Sequence, residues 1–71
     1  MFKNYGLMPG DRLTVRWGKE KVREIRDVTV VAEYDYHILV DIGAYQTSLN
    51  KADLFTGEIR IKKIGGNRYE R

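Results

Sequence analysis

Lysine and arginine are the residues of this chain with the clearest chemistry, and they are concentrated toward its two ends. Residues 1–26 carry a net charge of +4, residues 27–58 carry −5, and residues 59–71 carry +4, within an overall charge of +3. These side chains bind phosphate, so a fold that joins the two ends creates a basic face for nucleic acid or an acidic protein partner. The residues predicted to contact nucleic acid are Arg12, Arg16, Lys19, Lys21, Arg23, Arg60 and Lys62.

Catalytic and metal-binding chemistry is poorly represented in the sequence. His37 is the only histidine. Asp41 shares its face of a predicted strand but lies four residues away, about 13 Å along the strand. The absence of cysteine excludes disulfides, thiol catalysis and cysteine-ligated zinc. The sequence therefore predicts a protein that is not an enzyme and holds no metal or cofactor.

Four aromatic residues have two interpretations. Trp17 shares the spacing of Leu13 and Val15, which indicates a core position, and the tyrosines can cap one end of the core with their hydroxyl groups in water. Alternatively, the same rings form an aromatic groove that stacks a base or covers a proline of a peptide. The residues of this groove are Trp17, Tyr34, Tyr36 and Tyr45.

Apolar and polar residues alternate in several short stretches, a pattern typical of half-buried strands. The alternation predicts strands over residues 12–17, 22–34, 37–42, 45–50 and 59–62. Within the second stretch the inward parity changes near Arg26 and Asp27, which indicates a bulge or bend, or a break into two strands. Asn50 can cap a single helical turn over residues 50–54, and so short a turn is typical of a 3₁₀ helix.

Five short strands with a 3₁₀ turn before the last one predict an all-β fold, a five-stranded SH3-like barrel. In such a barrel the first and last strands are neighbours, so their outward-facing cations share one surface. Those cations are Arg12, Arg16, Arg60 and Lys62, and the loop with Lys19, Lys21 and Arg23 is expected near one end of the surface. The acidic residues expected elsewhere are Glu33, Asp35, Asp41 and Asp53.

The 71 residues predict one domain with a modest core and a net stability of roughly 3–5 kcal/mol. Residues 1–9 are predicted to be an N-terminal arm, residues 10–64 the barrel, and residues 65–71 a flexible tail. The arm is expected to dock through Phe2, Tyr5, Leu7 and Met8. No apolar run is long enough to cross a membrane, and the expected location is the cytoplasm.

Three stretches are similar to known small barrels. Residues 10–15 (GDRLTV) resemble the opening of SH3-like barrels, including ribosome-associated KOW modules, and residues 34–40 (YDYHILV) are similar to the middle of Sm-like RNA-binding barrels. Residues 45–49 (YQTSL) and 52–59 (ADLFTGEI), together with the basic stretch 19–26, resemble the Veg-like proteins of Gram-positive bacteria. This last resemblance covers residues 10–61 and implies an SH3-like barrel with a regulatory, non-enzymatic role. A phage or other mobile element is an alternative source.

Three functions are compatible with this charge distribution and predicted fold. The first is a regulatory module that binds DNA or RNA through the basic face. The second is a protein-interaction adaptor that uses the aromatic groove. The third is a structural protein whose basic and acidic faces pair head to tail. The expected state is a monomer or a weak homo-oligomer.

Overall fold

The computed structural model describes residues 2–64 of the chain. Its elements, in chain order, are β1 (Arg12–Trp17), β2 (Glu24–Glu33), β3 (His37–Asp41), β4 (Gln46–Asn50), the helix α1 (Lys51–Thr56) and β5 (Ile59–Ile64). The strands form one antiparallel sheet in the order β4-β3-β2-β1-β5. The all-β class, the five strands and the adjacency of the first and last strands are confirmed. Within residues 2–64, β4 and β5 do not pair with each other, so the sheet is open.

The period-two pattern of the sequence builds the core, because alternate residues of a strand point to the same side. β1 buries Leu13 and Val15, and the other four strands bury the apolar residues on the same side of the sheet. The buried apolar residues are Leu13, Val15, Val28, Val30, Ile38, Val40, Leu49 and Ile59. Trp17, at the end of β1, is half-buried and packs against this cluster. No helix of the described part is long and apolar enough to cross a membrane.

β2 is one continuous strand of ten residues, and its irregularity lies at Val31. Pairing with β1 runs without interruption through Arg26 and Asp27, so the bulge or break predicted there is wrong. The register against β3 shifts between Val30 and Ala32 instead. The first four residues of β2 are all exposed, so alternation carries no information there about which face is inward.

The register shift turns Glu33 inward. Val28 and Val30 are buried, and an unbroken strand would continue that face to Ala32. After the shift, Glu33 pairs with the fully buried Ile38. The Glu33 carboxylate therefore reaches the inner side of the sheet, and only 7% of its side chain stays exposed.

The segment before β5 is an α-helix over six residues, so the predicted 3₁₀ turn is wrong in type and too short. Both ends are capped. The Asn50 side chain accepts a hydrogen bond of 2.9 Å from the Ala52 N–H, which confirms the predicted cap. Gly57 adopts a left-handed conformation, with φ of 88°, and its N–H donates to the Leu54 carbonyl. Caps at both ends satisfy backbone groups that an isolated turn leaves open.

The N-terminal arm lies against the sheet, as predicted, but not through every residue expected. Tyr5 and Leu7 are half-buried and pack against the core. Phe2 contacts other aromatic rings at the surface. Met8 is 64% exposed, so its predicted docking is wrong: it precedes the turn that leads into β1, where the chain faces solvent. The predicted tail, residues 65–71, lies outside the described residues.

Candidate nucleic-acid interface

The register of β1 and β5 brings the predicted cations of the two chain ends together. Arg16 lies opposite Arg60, and Thr14 lies opposite Lys62. Opposed residues of neighbouring antiparallel strands have Cα atoms about 4.5–5.5 Å apart, and Arg60 and Lys62 are about 7 Å apart along β5. An open depression of about 510 Å³ is lined by Thr14, Arg16, Arg60, Ile61 and Lys62.

The loop that carries the remaining predicted cations is held against the end of this surface. The Gly18 N–H donates to the Glu58 carbonyl at 2.8 Å, and the Arg23 N–H donates to the Trp17 carbonyl at 2.7 Å. Gly18 has φ of +115°, and a Cβ there would stand 2.1 Å from the Lys21 carbonyl oxygen. Only glycine therefore fits this loop without displacing backbone.

Arg60 connects the loop to the sheet. Its Nη2 donates a hydrogen bond of 2.8 Å to the carbonyl of Lys19. This contact fixes the loop beside β5. We use the name basic strip for the surface formed by Arg16, Lys19, Lys21, Arg60 and Lys62.

The basic strip is exposed and largely free of carboxylates. All seven residues predicted to contact nucleic acid are exposed. Within residues 2–64, only Arg23 among them forms an ion pair, with Glu58 at 3.5 Å. Asp27 marks the boundary on the β2 side, where its carboxylate accepts a hydrogen bond of 2.9 Å from the Thr14 hydroxyl. The strip is thus available to an anionic ligand without breaking an existing pair.

Arg12 lies toward the other end of the same outer face. It pairs with Thr29 on one side and Ile64 on the other. Arg12 is two residues before Thr14, the partner of Lys62, so Arg12 and Arg16 flank Lys62 diagonally. Arg12 lies about 13 Å from Arg16 along β1, so a ligand that contacts both follows the strand.

The structure divides the four residues predicted to form one aromatic groove. Tyr34 and Tyr36 lie in the hairpin between β2 and β3, whereas Tyr45 lies at the opposite end of β3, in the turn before β4. Trp17 packs against the core at the far end of β1. Tyr34 stacks on His37, with ring centroids 4.8 Å apart. These residues do not line one groove, because a full strand length separates the two turns.

Two arrangements were missed by sequence reasoning. The first is an exposed cluster in which the Phe2 ring lies 5.9 Å from the ring of Tyr36 and 6.4 Å from that of Phe55. The second is a buried ion pair between Glu33 and Lys51. One signal for the pair was present in the sequence: Lys51 is the only cation in residues 27–58.

The Glu33 carboxylate fastens the arm to the sheet. It accepts hydrogen bonds from the Tyr5 N–H at 2.7 Å, the Leu7 N–H at 2.9 Å and Lys51 Nζ at 2.7 Å. Lys51, of which 3% is exposed, also donates to the Lys3 carbonyl. Burial by itself raises the pKa of Glu33, but the hydrogen bonds from Lys51, Leu7 and Tyr5 together hold it below its ordinary value.

Metal chemistry finds no support in the described residues. Within residues 2–64, no group of three or more histidine, cysteine, aspartate or glutamate side chains is placed to hold a metal ion. His37 lies on β3 with its ring against Tyr34.

No family model, curated protein or solved structure matches this chain. The resemblance to Veg-like proteins therefore stays a prediction.

Proposed function

We propose that this chain is a small, non-enzymatic regulatory module that binds nucleic acid through the basic strip. The observation that carries the proposal is the register of β1 and β5, which sets Arg16 opposite Arg60 and next to Lys62. Like charges directly opposite each other on neighbouring strands destabilise a sheet. An anionic ligand that lies across both strands relieves this repulsion.

The spacing of the strip suits a phosphate backbone. Cations on two neighbouring strands stand about 5 Å apart across the pair and about 7 Å apart along each strand. The loop extends the row of positive charge beyond the end of β5 through Lys19 and Lys21. Contacts of this kind position a nucleic acid without reading its sequence, so we expect affinity with little sequence preference.

The proposed module is an SH3-like barrel of the Veg-like kind. The supporting features are the antiparallel order of the strands, the adjacency of β1 and β5, and the short helix between β4 and β5. A fold of this class hosts many functions, so the function rests on the charge arrangement and not on the fold.

The test compares two double variants with the same net charge. Arg16→Glu with Lys62→Glu reverses two charges of the strip, and Lys3→Glu with Arg26→Glu reverses two exposed cations elsewhere. Fluorescence anisotropy of labelled duplex DNA and of single-stranded RNA measures the affinity at two salt concentrations. We expect the strip variant to lose roughly tenfold or more in affinity and the control variant to change little. Equal losses in both variants would show that net charge alone governs binding.

A protein-interaction adaptor is the second candidate function. It is favoured by the exposure of Phe55 (81%) and Tyr36 (61%), since large exposed rings often mark interaction sites. This function predicts that Tyr36→Ala abolishes capture of a protein partner, while the strip variant leaves that capture unchanged.

A further inference from the structure

Phe2, Tyr36 and Phe55 form an aromatic cluster in which Tyr36 and Phe55 are largely exposed. Phe55 is the most exposed large apolar residue of the described part, and Tyr36 keeps 61% of its surface open. The Phe2 ring meets Tyr36 nearly at a right angle, 88°, and meets Phe55 at 56°. The half-buried Phe2 ring thus contacts Tyr36 and Phe55, while most of the surface of those two residues stays exposed.

Phe55 connects the cluster to the end of α1 that adjoins the basic loop. Phe55 is two residues before Gly57, a span of at most about 7 Å. A Cβ at Gly57 would lie 4.0 Å from Cγ of Lys19, so the Lys19 side chain lies beside the end of α1. The carbonyl of Lys19 in turn accepts from Arg60. The end of α1 that carries Phe55, the loop and the strip are therefore neighbours.

We infer that the aromatic cluster stacks unpaired bases of the nucleic acid whose phosphates lie on the basic strip, so that the ligand is single-stranded. This inference rests on the proposed function and names its substrate class. In a duplex the faces of the bases are covered by their neighbours, and a basic surface then meets only phosphate and sugar. A single strand offers both its backbone and its base faces, and stacking on protein rings accepts every base.

Charge complementarity selects this occupant over an apolar peptide. The residues that connect the cluster to β5 are Lys19 and Arg60, and neither forms an ion pair within residues 2–64. A ligand that covers the rings and continues along the surface meets positive charge next. Both an apolar peptide and a nucleic acid can cover the rings, but only the nucleic acid carries a matching negative charge at every unit.

The experiment measures binding of a labelled ~12-nucleotide oligo-dT strand and of a duplex of equal length, at one salt concentration, by fluorescence anisotropy. Phe55→Ala removes the most exposed ring, and Met8→Ala is the matched control because Met8 is an exposed apolar residue outside the cluster. We expect Phe55→Ala to weaken single-strand binding by roughly tenfold and duplex binding by less than about twofold. Met8→Ala should change neither affinity.

Phe55→Leu provides a second variant that keeps apolar volume but removes the ring. We expect it to lose single-strand affinity as Phe55→Ala does, with an unchanged urea midpoint. If Phe55→Ala and Phe55→Leu bind the single strand as the wild type does, while the Arg16/Lys62 reversal still weakens binding, the inference is overturned and the proposed function stands. Equal weakening of single-strand and duplex binding also overturns the inference. If the wild type binds neither oligonucleotide, the proposed function itself fails.

Discussion

Replacing Glu33 by glutamine should remove most of the stability of this protein. The substitution keeps the shape of the side chain but deletes its charge. The carboxylate accepts three hydrogen bonds, two from N–H groups of the arm and one from Lys51. Glutamine has one carbonyl oxygen to accept them, and its amide group would point donors at the others. Lys51, with 3% of its surface exposed, would be left as a buried charge without its partner.

The magnitude follows from the burial of the pair. Removing one partner of a buried ion pair costs about 3–5 kcal/mol, because the other charge remains without compensation. A chain of this size has a net stability of roughly 3–5 kcal/mol. The two quantities are similar, so we expect the urea midpoint of Glu33→Gln to lie near zero denaturant at 25 °C.

The assay is equilibrium unfolding in urea, followed by the fluorescence of Trp17, the only tryptophan. Asp35→Asn is the matched control, since it neutralises an exposed carboxylate two residues away in the same hairpin. Surface changes of this kind usually stay within about 0.5 kcal/mol. A Glu33→Gln midpoint equal to that of Asp35→Asn would refute the view that the buried pair holds the arm and sheet together.

Three further outcomes follow from the same geometry. Gly18→Ala should lower stability by about 2 kcal/mol or more, measured by urea unfolding, because its Cβ would meet the Lys21 carbonyl and φ is +115°. Arg16→Gln should raise the free energy of unfolding at low salt by about 0.2–1 kcal/mol, since it removes a like charge opposite Arg60; the same gain at 1 M salt would contradict this origin. The wild type should lose stability in acid, because folding lowers the pKa of Glu33. The contribution of the Glu33 carboxylate to the free energy of unfolding is complete above its ordinary pKa, about 4.3. That contribution disappears as the pH falls through the lowered pKa of the folded state. Urea midpoints from pH 7 to pH 3 measure this loss, and a constant midpoint over that range would contradict it.

Strand spacing was enough to predict the arrangement of the basic strip. The alternation of Leu13 and Val15 with Arg12 and Arg16 fixes which side chains of β1 face outward, and the adjacency of β1 and β5 then places Arg60 and Lys62 beside them. The N-cap was also predictable, because the Asn50 side chain acts on its own backbone neighbourhood. Strand alternation and capping involve residues that are close in sequence, so the sequence alone is enough to predict them.

Features that depend on one shifted residue or on distant segments were not predictable. Glu33 faces inward only because the register shifts at Val31, and the sequence Val30-Val31-Ala32 gives no sign of which residue is extra. The contact of Phe2 with Phe55 joins the arm to the end of α1, so it requires the path of the whole chain. The structure does not bring the residues of the predicted aromatic groove together, for a related reason: Tyr34 and Tyr36 precede β3 and Tyr45 follows it, so they lie at opposite ends of that strand.

The salt dependence of single-strand binding shows whether phosphates lie on the basic strip. Five cations form the basic strip, and contact with roughly three to five phosphates gives a slope of log K against log salt of about −2 to −3.5. We expect a slope in that range for the wild type and a slope smaller by about 0.7 for Arg16→Gln. The control variant Arg26→Gln should keep the wild-type slope. Binding that does not change with salt, or an equal change of slope in both variants, would contradict the assignment of the basic strip as a nucleic-acid site.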